Sequence, residues 1–293
     1  LKKNSFVNKN VLKELITNHQ TLLFVKENER RHIKEAQQEN LREITRSLSM
    51  GDGLENGRKQ MGLLTVNLGY LYEDPNDEGT LNLQYQSLRN LCSFLLHNQD
   101  LWRRLYTDYL KQKHHYVLSQ PMIAAFFLLG IIKNTHALNE KDIETLFITS
   151  YLKDIGMSSI PIEKFNQEDL TEHEKQILAG HARQSVRILK GRVPLGPAYL
   201  QIIANHHMFS HLGMEKYQKP QEDDDDQLGE TVLGFETMMV SVTDIVAAMI
   251  SKRPYRSEKK VRESLELIKL LIADQYPQEF KCIVIYFKNL FAV

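Results

Sequence analysis

Five side chains of the kind that hold metal ions lie on four separated stretches of the chain: Asp154, His181, the adjacent pair His206 and His207, and Asp244. Taken singly each has a plain reading, since a lone histidine on an apolar face is a core residue more often than a ligand. Together they offer three imidazoles and two carboxylates, a donor set suited to iron, manganese or zinc, in which one carboxylate can bridge two ions. Two ions about 3.5–4 Å apart would place a hydroxide for attack on phosphorus and stabilise the charge that develops there. That is phosphodiesterase chemistry. Adjacent histidines on a helix diverge by roughly 100°, because a turn holds about 3.6 residues. His206 and His207 can therefore reach one ion together only at a helix end or distortion; otherwise one ligates and the other serves a neighbour.

The elements that must bring these residues together read as helices. Apolar residues recur at spacings of three and four, glycine and proline are scarce, and strand patterns are almost absent. Asn139-Glu140-Lys141-Asp142 opens a helix through Ile143, Leu146, Phe147 and Leu152 that ends near Asp154-Ile155-Gly156. Thr171-Glu172-His173-Glu174 reads as a capping box, which predicts a helix from Glu172 that carries His181 inward with Ile177 and Ile188. A helix over about 198–209 carries the histidine pair, and one over about 235–251 carries Asp244.

Upstream, Gly51-Asp52-Gly53 and the breaker cluster from Pro75 to Gly79 bracket an apolar segment at 61–72. A helix over about 81–96 follows. Its stripe of Leu88, Leu91, Cys92, Leu95 and Leu96 reads as core or as a dimer seam. Residues 1–110 show no chemistry and are expected to form a mainly helical regulatory or dimerisation domain, whose helices could pair in a homodimer; residues 111–293 form the metal-binding domain. An apolar beginning (Val11, Leu12, Leu15, Ile16, Leu22, Leu23) leads into the charged stretch 26–46. That stretch and the acidic run 222–226 read as solvated surface.

Length and composition fit this division. At 293 residues, 42% apolar and 25% charged, the chain can bury a core in one or two domains. Lysine plus arginine equal aspartate plus glutamate at 37 each, so no field of one sign marks DNA or RNA as a partner. Cys92 and Cys282 lack CxxC spacing and read as free thiols of a reducing compartment. The longest apolar run, 122–132, is about half of what a membrane-spanning helix needs. No targeting pattern is visible, and a cytoplasmic location is the simplest expectation.

Five elements now fall into place in one order. Leu152-Lys153-Asp154-Ile155-Gly156 with Ile160-Pro161 resembles the L-H-D-I-G-K and downstream I-P of the HD-GYP family. Leu170-Thr171 through His181 to Ile188-Leu189 is similar to the family's L-T-x-E segment, which ends in a metal-binding histidine and I-L. His206-His207 matches its double histidine, Val242-Thr243-Asp244-Ile245-Val246-Ala247-Ala248 its A-D-x-x-D-A helix, and Arg253-Pro254-Tyr255-Arg256 its R-P-Y-R. The resemblance covers roughly residues 112–290. It implies an all-α fold, an HD-type helical bundle with extra C-terminal helices, that binds iron or manganese as one or two divalent ions and hydrolyses cyclic di-GMP in bacterial signalling. It further implies Asp154 as bridging ligand, His181, His206 and His207 as ligands of one metal, and Asp244 as ligand of the other. Asp154 and Lys153 are the candidate catalytic residues. Lys153, Arg183, Arg253 and Arg256 are the candidate substrate contacts, although arginines after a helix end also cap carbonyls.

Several family positions are changed. The histidine of the H-D pair is Lys153, a cation that repels a metal at neutral pH. The family's earlier histidine falls at Gln120 and Pro121; His114 and His115 lie about six residues too early and would serve only if the loop is rearranged. The catalytic lysine is Met157, and Met214-Glu215-Lys216, followed by Tyr217, occupy the G-Y-P positions. One metal position thus loses two imidazoles while the other keeps its full set. Removing an electrostatic donor of this kind typically costs about 10²–10³ in rate. Lys153 could hold a phosphate in place of one metal charge, or form a salt bridge to Asp154 or Asp244. Three readings follow: a divergent metal-dependent phosphohydrolase acting on cyclic di-GMP or a related phosphodiester; a degenerate nucleotide-sensing or signalling scaffold; and a structural bundle with relic histidines.

Overall fold

A computed structural model describes residue 10 and residues 26–209 and 234–291. The apolar positions between Val11 and Leu23, the G-Y-P positions 214–217 and the acidic run 222–226 lie outside the described residues. Among those described there are twelve α-helices and no strand, an all-helical fold. The backbone divides into two compact units, 1–36 and 37–293. The expected boundary near 110 falls inside the second. In the first unit the start of α1 (Glu27–Ser47) is charged and exposed, with Arg31 paired to Glu35 one turn on at 2.8 Å.

The centre of the second unit is α5 (Tyr116–Thr135), whose residues from Pro121 to Ile132 are all buried. It is apolar on every side because it is covered on every side: α6 (Glu140–Leu152) and α10 (Phe235–Ile250) make its largest contacts, and α2 (Gly53–Glu73), α3 (Glu78–His97) and α12 (Pro277–Phe291) add to them. By length and hydropathy α5 could cross a membrane, but 72% of its apolar window is buried inside the protein. A helix hydrophobic all round in a folded unit is a core helix. The stripe Leu88, Leu91, Cys92, Leu95 and Leu96 of α3 is buried in the same core. Burial pushes the Cys92 thiol pKa up, and both cysteines are free.

Helix starts follow local chemistry. Asp52, Asp77 and Asn139 accept hydrogen bonds from the first free amides of α2, α3 and α6. Thr171 and Glu174 form the reciprocal capping box at the head of α7 (Glu172–Ala179). The helix expected to run on through His181 instead breaks at Gly180 and restarts as α8 (His181–Leu189). The Gly180 amide reaches back to the carbonyls of Gln176, Ile177 and Leu178 and closes α7 there. The helix bearing the histidine pair is also shorter than expected: α9 (Pro197–Asn205) stops before both. Between α4 (Trp102–Leu110) and α2, the Thr65 and Tyr109 hydroxyls bond at 2.7 Å, while the Tyr151 hydroxyl of α6 donates to the Leu64 carbonyl at 3.2 Å. After α10 the chain closes with α11 (Val261–Ile272) against α10 and α12.

Candidate metal centre

Asp154 follows the last turn of α6, where a short 3-10 segment (Ile155–Ser159) lies against α8. That approach depends on Gly156. A Cβ there would overlap the His181 carbonyl oxygen and come within 2.6 Å of the Ser185 amide, while the Gly156 N–H donates to Ser185 Oγ at 2.8 Å. From the other side Tyr72 of α2 donates its hydroxyl to the Asp154 carbonyl at 3.0 Å. The backbone bearing Asp154 is thus held from two elements, and one of them comes from the part of the chain that reads as free of chemistry.

His181 is the first residue of α8, and its Nδ1 lies 2.5 Å from the Leu178 carbonyl. His206 caps α9, with Nδ1 2.7 Å from the Ile203 carbonyl. A carbonyl can only accept, so each ring has a proton on Nδ1 and, when neutral, a lone pair on Nε2. Those nitrogens face Asp154 Oδ1 at 3.3 Å from His181 and 3.0 Å from His206. His206 Nε2 is buried and makes no hydrogen bond among the described residues. His207 Nε2 is 3.0 Å from His181 Nε2. Because α9 ends at Asn205, the divergence of a helical pair does not apply, and the His206 and His207 rings lie 3.9 Å apart. Burial depresses the His207 pKa to about 3, which keeps this ring neutral.

Asp154, His181, His206 and His207 each offer a ligand atom, and these atoms all lie within 4.8 Å of one another. Lone pairs facing one another at such distances repel unless a cation or an added proton lies among them. Imidazoles whose far nitrogens are fixed by backbone carbonyls are also the usual outer support of metal-bound histidines. The donor set therefore fits a divalent transition metal.

Asp244, on the buried face of α10, is outside this group. Its Oδ1 accepts from Lys153 Nζ at 2.7 Å and from Gln120 Nε2 at 3.1 Å. The same ammonium pairs with Asp154 Oδ2, and Lys153 is fully buried. Burial works against its charge, but the carboxylates of Asp154 and Asp244 outweigh it and raise its pKa. Burial likewise opposes both carboxylates, yet Lys153 holds Asp154 well below the usual range and lowers Asp244 as well.

Gln120 links this pair outward, since its Oε1 accepts from Arg253 at 3.3 Å. The Arg253 guanidinium also lies 5.1 Å over the Tyr116 ring, and its Nε is buried without a partner among the described residues. Arg256 donates to the Ala248 carbonyl at 2.7 Å, capping the end of α10. Arg183 is exposed on α8. His114 and His115 are not brought to the cluster: they bond Gln112 and Asn166, and line a cavity of about 550 Å³ together with Tyr106, Tyr109, Tyr116 and Arg253. Sequence reasoning missed Tyr72, Ser185 and the carbonyls of Leu178 and Ile203. Only Gln120 had a signal, as the residue standing where a family histidine is expected.

The helical fold and the buried imidazole and carboxylate cluster define a class: a helical-bundle protein with a candidate metal centre at the junction of α6, α8 and α9. The family model described as "HD domain" matches residues 112–277, and the chain belongs to the HD domain family. Among solved structures it is similar to "Bd1817, a HDG"Y"P protein from Bdellovibrio bacteriovorus", at 13% identity and a TM-score of 0.60, covering 90% of this chain and 81% of that one. That likeness is one of fold. No curated protein matches the chain at a significant level.

Proposed function

We propose that the chain is a metal-dependent phosphohydrolase of the HD type, acting on cyclic di-GMP or a related phosphodiester. The observation that carries this reading is the convergence of Asp154 with three imidazoles, two of them oriented by backbone carbonyls. Membership in the HD domain family and the motif resemblance from Leu152 to Arg256 support the reaction class and substrate. A bound divalent ion would polarise a phosphoryl oxygen and acidify a water at neutral pH. His181, His206, His207 and Asp154 would hold it. Lys153 keeps Asp154 ionised and its Oδ2 engaged, so that Oδ1 remains directed at the histidines. Arg253 would receive a phosphate oxygen, a reading supported by its Nε having no partner among the described residues. Arg256 is engaged in capping α10, which leaves Arg253 as the stronger phosphate contact of the two.

The test is hydrolysis by protein loaded with Fe2+ or Mn2+. Conversion of cyclic di-GMP to its linear product, lost on chelation and in His206→Ala, supports the reading. Metal-loaded protein that leaves cyclic di-GMP and simple aryl phosphodiesters intact refutes it.

A further inference from the structure

The buried site has two halves of opposite character, divided by Asp154. On the Oδ1 side stand three imidazoles that offer ring nitrogens as ligand atoms, the Nε2 atoms of His181 and His206 facing Asp154 and that of His207 facing His181. On the Oδ2 side stand donors: Lys153 Nζ, which pairs with both carboxylates, and Gln120 Nε2, which donates to Asp244 Oδ1. Gln120 has no lone pair to offer an ion there, because its Oε1 is turned to Arg253.

We infer that the centre is built for a single metal ion, and that the Lys153 ammonium serves as a permanent cation in the place between Asp154 and Asp244 where a second ion would lie. This inference rests on the metal reading above. Two acidic residues from separate elements, the end of α6 and the middle of α10, converge in the interior, where they need either a shared proton or a cation between them. Lys153 supplies the cation covalently, at 0% exposure. A second ion would have to take the same carboxylate oxygens and expel an ammonium that has no other buried acid described beside it. Charge points the same way. Two carboxylates, one ammonium and one divalent ion leave a single positive charge, which complements one phosphodiester anion; a second divalent ion in place of the expelled ammonium would leave two.

The test is ion counting on the full chain, chelated and then saturated with Mn2+, with paramagnetic resonance on the same samples. One ion per chain with the spectrum of an isolated Mn2+ is expected. Two ions per chain with an exchange-coupled spectrum overturns this inference and leaves the metal reading standing, whereas no bound ion overturns both. Lys153→His replaces the ammonium by a ligand, and ion content should double with spin coupling appearing. A folded Lys153→His protein that still binds one ion would show that the ammonium is not what limits the count, and the assignment would fall. If that variant does not fold, the count on the unsubstituted chain decides alone.

Discussion

Replacing Lys153 by Met, measured in the presence of a chelator, should reveal how much of the fold depends on one ammonium. The substitution nearly conserves volume but leaves the Asp154 and Asp244 carboxylates buried together without their shared cation. Across the 2.7 Å contact to Asp244, unit charges attract by roughly 6 kcal/mol at an effective dielectric of about 20. The relief of burying one charge fewer offsets part of this. Removing one partner of a buried ion pair costs about 3–5 kcal/mol in practice. At about 2–4 °C per kcal/mol for a unit of this size, the melting temperature at neutral pH should fall by roughly 6–20 °C. The deficit must also depend on pH. In the unsubstituted chain both carboxyl pKa values are lowered, so their contribution is present above the ordinary aspartate range and is lost as pH falls through it. In the variant, buried carboxylates without a cation take up a proton more readily, so the two proteins should converge on acidification. Urea titrations between pH 4 and 8 decide the matter. A neutral-pH loss under about 1 kcal/mol, or a loss that stays constant as pH falls, would refute the account of Lys153 as the charge that holds the two acids together.

Other perturbations probe the supports of the site. Tyr72→Phe removes one of two donors to the buried Asp154 carbonyl, the Met157 amide remaining at 2.9 Å, and should cost about 0.5–1.5 kcal/mol in urea unfolding, with weaker Mn2+ affinity; unchanged affinity would show that Asp154 is oriented without it. Gly156→Ala pushes a methyl into the His181 carbonyl and the Ser185 amide, and should destabilise by at least about 1–3 kcal/mol while Gly191→Ala, which meets nothing within 4 Å but has positive φ, reports backbone strain alone. At the capping box, Thr171 and Lys164 hold the Glu174 carboxyl at about 2, so its contribution should be present above the ordinary glutamate range and vanish as pH falls through 2. Glu174→Gln should remove that acid-range dependence, and a carboxyl titrating at the ordinary glutamate value by NMR would refute it.

The helix starts were legible because Asn139 and the Thr171/Glu174 box are local signals, decided by side chains within a turn of the cap. The break at Gly180 was not, since a single glycine in a helical pattern is a weak breaker and the decision lay with the packing of the 3-10 segment on α8. The placement of the histidine pair turned on where α9 ends. Periodicity carried the pattern on to about 209, but the helix stops at Asn205, and only there can both rings turn the same way. Lys153 could be read as a salt-bridge partner of one acid or the other. That it meets both depends on α10 and α6 crossing α5 at matching heights, a fact of tertiary structure. The stripe on α3 was open between core and dimer seam because amphipathicity names a buried face and not what buries it.

The hydroxyl of Tyr72 on the Asp154 carbonyl and the layer of α2, α3 and α12 against α5 set a practical limit on how this protein can be divided. The stretch recognisable as an HD domain, 112–277, omits α2 and α3 entirely and ends where α12 begins. Cut at those limits, α5 would turn a wall of leucine and phenylalanine toward water, and the loop carrying Asp154 would lose one of its two anchors. The helices α2, α3 and α4 therefore share one compact unit with those that carry the candidate ligands, and a fragment cut to 112–277 is expected to be less stable than the chain as it stands.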